Sequence, residues 1–376
     1  MFIMKNIIIF YILLILNIIF KMKTRKIPEL PKKLKIGYAS WGECDEKIYE
    51  AVQNGLNVII WFSVDMAANE DNTKPIFKRG PNYEDVGKMI KRFKDNNYSV
   101  INLLSIGGWN SPHVNTNFTA EEYFQEWINF NDKITNKEND FYGFDGIDWD
   151  IEGHDNMNSS INHFTYKELE IMGEFSKLLK NEGYIVSMAP AESYLDPTTS
   201  EFSLSLLHNY PEWEKEFPDF TYHGRNVYAY LIARYSIDIF DFVSLQLYEG
   251  NTHTLYKYER EKKSFGEIID ELVGNLTKGY FVDFSKDINS GLDNKIIKIP
   301  EDKIVIGLAN GWAVGKFLFV DEKNLVEGYN YLLKQNKDVR GFMFWDIADE
   351  GKIPQSNNTC ENKPFYMAKI LNSMIK

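Results

Sequence analysis

Phe141-Tyr142-Gly143-Phe144-Asp145-Gly146-Ile147-Asp148-Trp149-Asp150-Ile151-Glu152 decides the fold, because its last eight residues carry four acids inside what otherwise reads as a buried strand. The aromatic flank and the interleaved Ile147, Trp149 and Ile151 have the composition of a strand. Strand side chains alternate faces, so Asp148, Asp150 and Glu152 share one side while Trp149 and Ile151 pack the other. A buried, unpaired carboxylate loses its hydration at high cost. Carboxyls lined up on one ridge share protons, which spreads their pKa values and keeps one acid protonated near neutral pH. A metal site or a solvated acidic turn is the competing reading, since hard cations take carboxylate oxygens. Calcium loops, however, alternate their acids with Gly, Asn and Ser rather than with Ile and Trp. Asp145 stands on the other parity from the last three acids and reads as a structural residue that bonds backbone near the strand start.

Working outward, apolar β-rich runs recur along the chain at Leu34 to Ser40, Asn57 to Val64, Ser99 to Ile106, Gly143 to Glu152, Tyr184 to Pro190, Asp241 to Tyr248, Lys303 to Asn310 and Arg340 to Asp346. Amphipathic stretches lie between them, at Asp45 to Asn54, Tyr83 to Asn96, Ala120 to Ile134, Thr165 to Asn181 and Asp321 to Gln335. Strands alternating with helices imply parallel βαβ units, and eight such units close into a (β/α)8 TIM barrel with its site at the C-terminal strand ends. A doubly wound open sheet is the alternative. One helix and its loops separate Asn310 from Arg340, so no α+β insertion is expected between strands seven and eight. The expected organisation is a single catalytic domain over residues 27–376.

The chain has 376 residues, 44% hydrophobic and 15% aromatic, which suits a globular enzyme. A net charge of −12 argues against nucleic acid as a partner, because phosphate binding is driven by Lys and Arg. No G-x-x-x-x-G-K-[ST] or G-x-G-x-x-G run occurs, so no nucleotide cofactor, and no other cofactor, is expected. Residues 1–26 read as a targeting segment, with a basic start, an apolar run from Asn6 to Phe20, then Lys21, Lys23, Arg25 and Lys26. That run is short for a bilayer span and fits a signal peptide, with an uncleaved signal anchor as the alternative. Secretion follows as an expectation. The sequons at Asn117, Asn158, Asn275 and Asn357 carry little weight in so Asn-rich a chain.

The strand ends repeat one theme, aromatic rings beside polar groups. Trp41 follows the first run, Trp109 follows Ser105-Ile106-Gly107-Gly108, Trp312 follows Asn310-Gly311, Trp345 precedes Asp346, and Gln246-Leu247-Tyr248-Glu249 closes the sixth run. A single Trp is more often core than ligand platform. Several at the strand ends of one barrel suit sugar rings, which offer apolar C–H faces and a rim of hydroxyls.

Asp145-x-x-Asp148-x-Asp150-x-Glu152 resembles the signature of glycoside hydrolase family 18, the chitinases and their relatives. Ser105-Ile106-Gly107-Gly108 is similar to the family's third-strand motif, Gln246-x-Tyr248 to its sixth-strand motif, and Trp345 to its eighth-strand Trp. The likeness runs from Lys35 to Asp346. It implies that Glu152 protonates the glycosidic oxygen and that the substrate's own 2-acetamido group, rather than a second carboxylate, attacks the anomeric carbon. Asp150 would stabilise the resulting oxazolinium ion, Asp148 would share a proton behind it, Tyr248 would orient the acetamido carbonyl, and Trp345 would floor the −1 subsite. Gln246, Glu249, Trp109, Trp41, Trp312, Met188 and Gly108 are the expected substrate contacts, with Glu192 a further candidate beside the Met188-Ala189-Pro190 segment.

Glu249 departs from the Asp or Asn usual at its position and reaches further. The missing insertion implies an open groove and internal cleavage, hence an endochitinase acting on chitin and chitooligosaccharides. The alternatives are an endo-β-N-acetylglucosaminidase acting on N-glycans and a non-catalytic chitin-binding lectin. In such a barrel Cys44 follows strand one and Cys360 follows strand eight, which makes a disulfide between them possible. Composition, leader and the lack of an appended module resemble the short secreted chitinases of apicomplexan parasites.

Overall fold

The computed structural model describes residues 27–40, 44–207, 224–250, 252–313, 317–354 and 363–375. The N-terminal apolar run, Trp41 and Cys360 lie outside them.

Eleven strands are described: β1 (Leu34–Ala39), β2 (Val58–Ala68), β3 (Pro75–Arg79), β4 (Ile101–Gly108), β5 (Gly146–Ile151), β6 (Ile185–Met188), β7 (Phe242–Gln246), β8 (Tyr280–Val282), β9 (Lys295–Ile297), β10 (Ile304–Ala309) and β11 (Gly341–Trp345). The sheet runs β1-β11-β10-β7-β6-β5-β4-β2, and β1 also pairs with β2. These eight strands are mutually parallel, so the sheet closes on itself as the sequence led one to expect. Every expected run holds one barrel strand. The five expected helices form at Glu46–Gln53, Tyr83–Asp95, Ala120–Lys133, Tyr166–Asn181 and Glu322–Lys334.

Helix starts are written in the sequence. Thr119 with Glu122, Thr165 with Glu168 and Ser264 with Glu267 each make a reciprocal capping box, which satisfies backbone N–H groups left free at a helix N-terminus. Their apolar faces close on the outside of the barrel. Trp149 shows the junction, its ring buried against Phe175 and its Nε1 donating to Ser176 Oγ at 2.8 Å.

Between β10 and β11 the described residues hold one helix and no further strand. Two hairpins were not legible in the sequence. β3 folds back antiparallel on β2, driving Phe77 against Trp127 and Phe130. β8 and β9 form a separate ribbon that packs on the short helix Ala229–Tyr235. Both are short and lean on helices, so neither shows the long apolar period that marks a barrel strand.

Candidate active site

β5 presents the acids as the two-residue period requires. Asp148 lies level with Ser105 on β4 and Ser187 on β6, whereas Trp149 and Met188 lie level on the opposite face, toward the helices. Asp148 is fully buried. Tyr38 Oη, from β1, donates to its Oδ2 at 2.5 Å, and Ser187 Oγ donates to its Oδ1 at 2.5 Å. Burial pushes the Asp148 carboxyl up and those two donors pull it back, leaving it at about 6.

Asp150 is raised well above the usual carboxyl range, by burial first and then by the charge of Asp148. Gln246 Nε2 donates to Asp150 Oδ1 at 2.8 Å, and Asp150 shares a hydrogen bond with Glu152. Glu152 is likewise raised, by burial, by the charge on Asp150 and by that on Glu249. Half-buried Glu249 is itself pushed to about 7 by burial. No described cation offsets these acids, so burial and the charges of Asp150 and Glu249 favour the protonated, proton-donating form of Glu152.

The Tyr248 hydroxyl sits in the field of Glu249, Asp150, Glu152 and Asp346, which together with burial holds it protonated and able to donate. Trp345 closes the barrel mouth, with its ring 5.5 Å from Tyr38 and 4.8 Å from Phe62, centroid to centroid. Trp312 stands edge-on to Tyr248 at 6.0 Å, and its Nε1 donates to the Trp345 carbonyl at 2.5 Å. On the other side of the acids Trp109 donates from Nε1 to Asp155 at 2.8 Å. Its ring lies over Gly153, where an added Cβ would meet Trp109 Cζ3 at 3.2 Å.

Other positions resolve differently from expectation. Met188 is fully buried and turned to the helices, so it is not a substrate contact; Ser187 faces the acids instead. Gln246 spends its amide N–H groups on Asp150 and on Ala189 O at 2.6 Å, which makes it a support for Asp150. Gly108, at φ +107°, supplies space, since a Cβ there would overlap the Phe62 ring. Asp145 Oδ2 accepts from Asn102 N at 2.8 Å, bonding backbone at the strand start. Glu192 is buried and accepts from Thr254 N at 3.3 Å. Cys44 makes no disulfide to a described residue, and its Sγ lies 3.5 Å from Asp85 O.

Sequence reasoning passed over Tyr38, Ser187 and Phe62. Strand parity carried a signal for Ser187: once Asp148 faces inward, the residue level with it on β6 faces inward too.

No family model matches the sequence, and no curated protein matches it. Solved structures do. The chain resembles a fungal endo-β-N-acetylglucosaminidase from glycosyl hydrolase family 18 with a TM-score of 0.53 at 14% identity, over 92% of this chain and 98% of that one. It resembles a GH18 chitinase from Pseudoalteromonas aurantia with a TM-score of 0.52 at 13% identity, over 91% and 99%. The fold is therefore the chitinase-like (β/α)8 barrel of glycoside hydrolase family 18 structures.

Proposed function

We propose that this chain is a secreted family 18 glycoside hydrolase that cuts β-1,4 links between N-acetylglucosamine units within chitin. The observation that carries this reading is the inward ladder Asp148–Asp150–Glu152, whose terminal acid is pushed up by burial and by its neighbours' charges and lies within the field felt by Tyr248. In the reaction Glu152 gives its proton to the glycosidic oxygen while the acetamido carbonyl oxygen bonds to the anomeric carbon. The glycosidic bond breaks with its electrons on the leaving sugar. Asp150 accepts the acetamido N–H and offsets the oxazolinium charge, and Tyr248 donates to the acetamido oxygen. Water then adds to the anomeric carbon as Glu152 takes back a proton, so configuration is retained.

The short connection from β10 to β11 supports an open groove and internal cleavage. Trp109 on one flank and Trp312 on the other support a repeating sugar polymer over a single branched glycan. The apolar N-terminal run supports export.

The test compares hydrolysis of a chitooligosaccharide with that of a high-mannose glycopeptide, using wild type and Glu152→Gln. Chitooligosaccharide cleavage that drops by about 10³-fold or more in E152Q, with binding kept, is the expected result. Cleavage of the glycopeptide alone would move the substrate to N-glycans. Binding without any hydrolysis by wild type would make the protein a lectin.

A further inference from the structure

We infer that two side chains from distant parts of the chain, Tyr228 at the Ile151 backbone and His113 at the Glu152 carbonyl, clamp the end of β5 and act as positioning residues for Glu152. This inference rests on Glu152 being the proton donor.

The neighbours of β5 end before the acid ladder does. On the β6 side the last regular bond runs from Ala189 N to Trp149 O at 2.8 Å. The next acceptor along would be Ala189 O, but Gln246 Nε2 donates to it at 2.6 Å, and the chain turns away after Pro190. Ile151 thus turns its N–H and C=O toward a strand that has left. The Tyr228 hydroxyl fills that place, accepting from Ile151 N and donating to Ile151 O, both at 2.9 Å. On the β4 side, pairing stops at Gly108 opposite Ile151. Beyond it, His113 Nε2 lies 2.9 Å from the Glu152 carbonyl. A carbonyl only accepts, so Nε2 carries the hydrogen and the tautomer is fixed.

Both groups are themselves held rigidly. Tyr228 is fully buried, edge-on to Phe164 at 6.1 Å and tilted on Tyr194 at 5.6 Å. The His113 ring, also buried, packs on Phe164 at 4.3 Å, and its Nδ1 faces Glu168 at 3.6 Å. One phenylalanine thus backs both arms. The next carbonyl, that of Gly153, accepts from Asn110 N at 2.9 Å. An orphaned backbone group here is costly in itself. The larger consequence is geometric, because displacing a reacting group by about 1 Å can cost on the order of 10²-fold in rate.

The test uses the full chain with Tyr228→Phe, which removes one oxygen and keeps the ring, together with His113→Ala and His113→Gln. Y228F and H113A should each lower kcat on a chitooligosaccharide by about 10- to 100-fold with KM within about twofold. H113Q, whose amide N–H can reach the same carbonyl, should recover most of that loss. The basic limb of the pH profile should move to lower pH in Y228F, because a loosened Glu152 gains water and loses part of its raised pKa. Amide exchange at Ile151 should quicken in Y228F, a reading that needs no activity. An unchanged kcat, or H113Q as damaged as H113A, would overturn the clamp. Wild type that hydrolyses nothing would instead remove the functional reading, whatever the exchange shows.

Discussion

Two buried sets of acids in this barrel face opposite ways in pKa. In the cleft, burial pushes Asp150 and Glu152 up, helped by the charge of Asp148 at Asp150 and by those of Asp150 and Glu249 at Glu152, and no described cation answers them. Behind it Asp196 is just as buried, yet it ends below its ordinary value. Burial pushes its carboxyl up, but His253, with Nε2 3.4 Å from Oδ2, and Thr198, donating its N–H and hydroxyl at 2.9 and 2.6 Å, outweigh that. Burial alone does not decide whether a carboxyl is charged; the partners at its oxygens do. The donors in the cleft, Tyr38, Ser187 and Gln246, do not outweigh burial, whereas those at Asp196 do, which favours the protonated form in the first place and the ionised form in the second.

The contrast can be broken from either side. The largest effect is expected at Asp150→Asn, which removes the charge meant to face the oxazolinium ion. Its kcat should fall by about 10²- to 10³-fold, read from steady-state hydrolysis of a chitooligosaccharide. A fall of less than threefold would detach Asp150 from the chemistry.

Asp148→Asn should separate stability from activity. The folded state holds the Asp148 proton to about 6 against an ordinary 3.8, so wild type gives up stability as pH rises across that window. The loss sums to at most about 3 kcal/mol. Denaturant titration should find the Asn variant more stable than wild type by up to that amount at pH 7 and equal to it near pH 3, while its hydrolysis is weaker. Equal stability at both pH values would mean that Asp148 is not held protonated.

Asp196→Asn should show the reverse slope and the smallest effect. A carboxyl held below its ordinary value stabilises the fold above that value and loses its contribution as pH falls through the lowered one. The variant should be less stable by about 2 kcal/mol at pH 7 and match wild type in strong acid, with kcat little changed.

Much of this arrangement was legible in the sequence. The eight runs fixed the strand count because a parallel strand buried on both faces must be apolar throughout. Acids inside one such run stand out against that requirement, which is why Asp148, Asp150 and Glu152 could be placed on one face before any coordinates. What pairs with them was less visible. Tyr38 and Asp148 are 110 positions apart, and nothing local to Tyr38 announces a carboxylate across the barrel. Met188 belongs to a segment that resembles a family motif, but register with Trp149 turns it to the helices and leaves Ser187 facing Asp148. The likeness of Gln246-x-Tyr248 to a sixth-strand motif suggests a substrate contact, and only the bonds to Asp150 and Ala189 O show that the Gln246 donors are already committed.

The Tyr38–Asp148 bond also ties the first strand to a part of the chain made much later. The first strand is among the earliest parts of the chain to be made, but it must wait for β5 to give Tyr38 its acceptor. It must then wait for β11, at Gly341–Trp345, to flank it and close the ring. Closure over such sequence separations is slow compared with helix formation. Until Gly341–Trp345 is made, β1 lacks one of its two flanking strands and the ring stays open. The closed barrel, and with it the cleft at its strand ends, is therefore a late event that waits for residue 345.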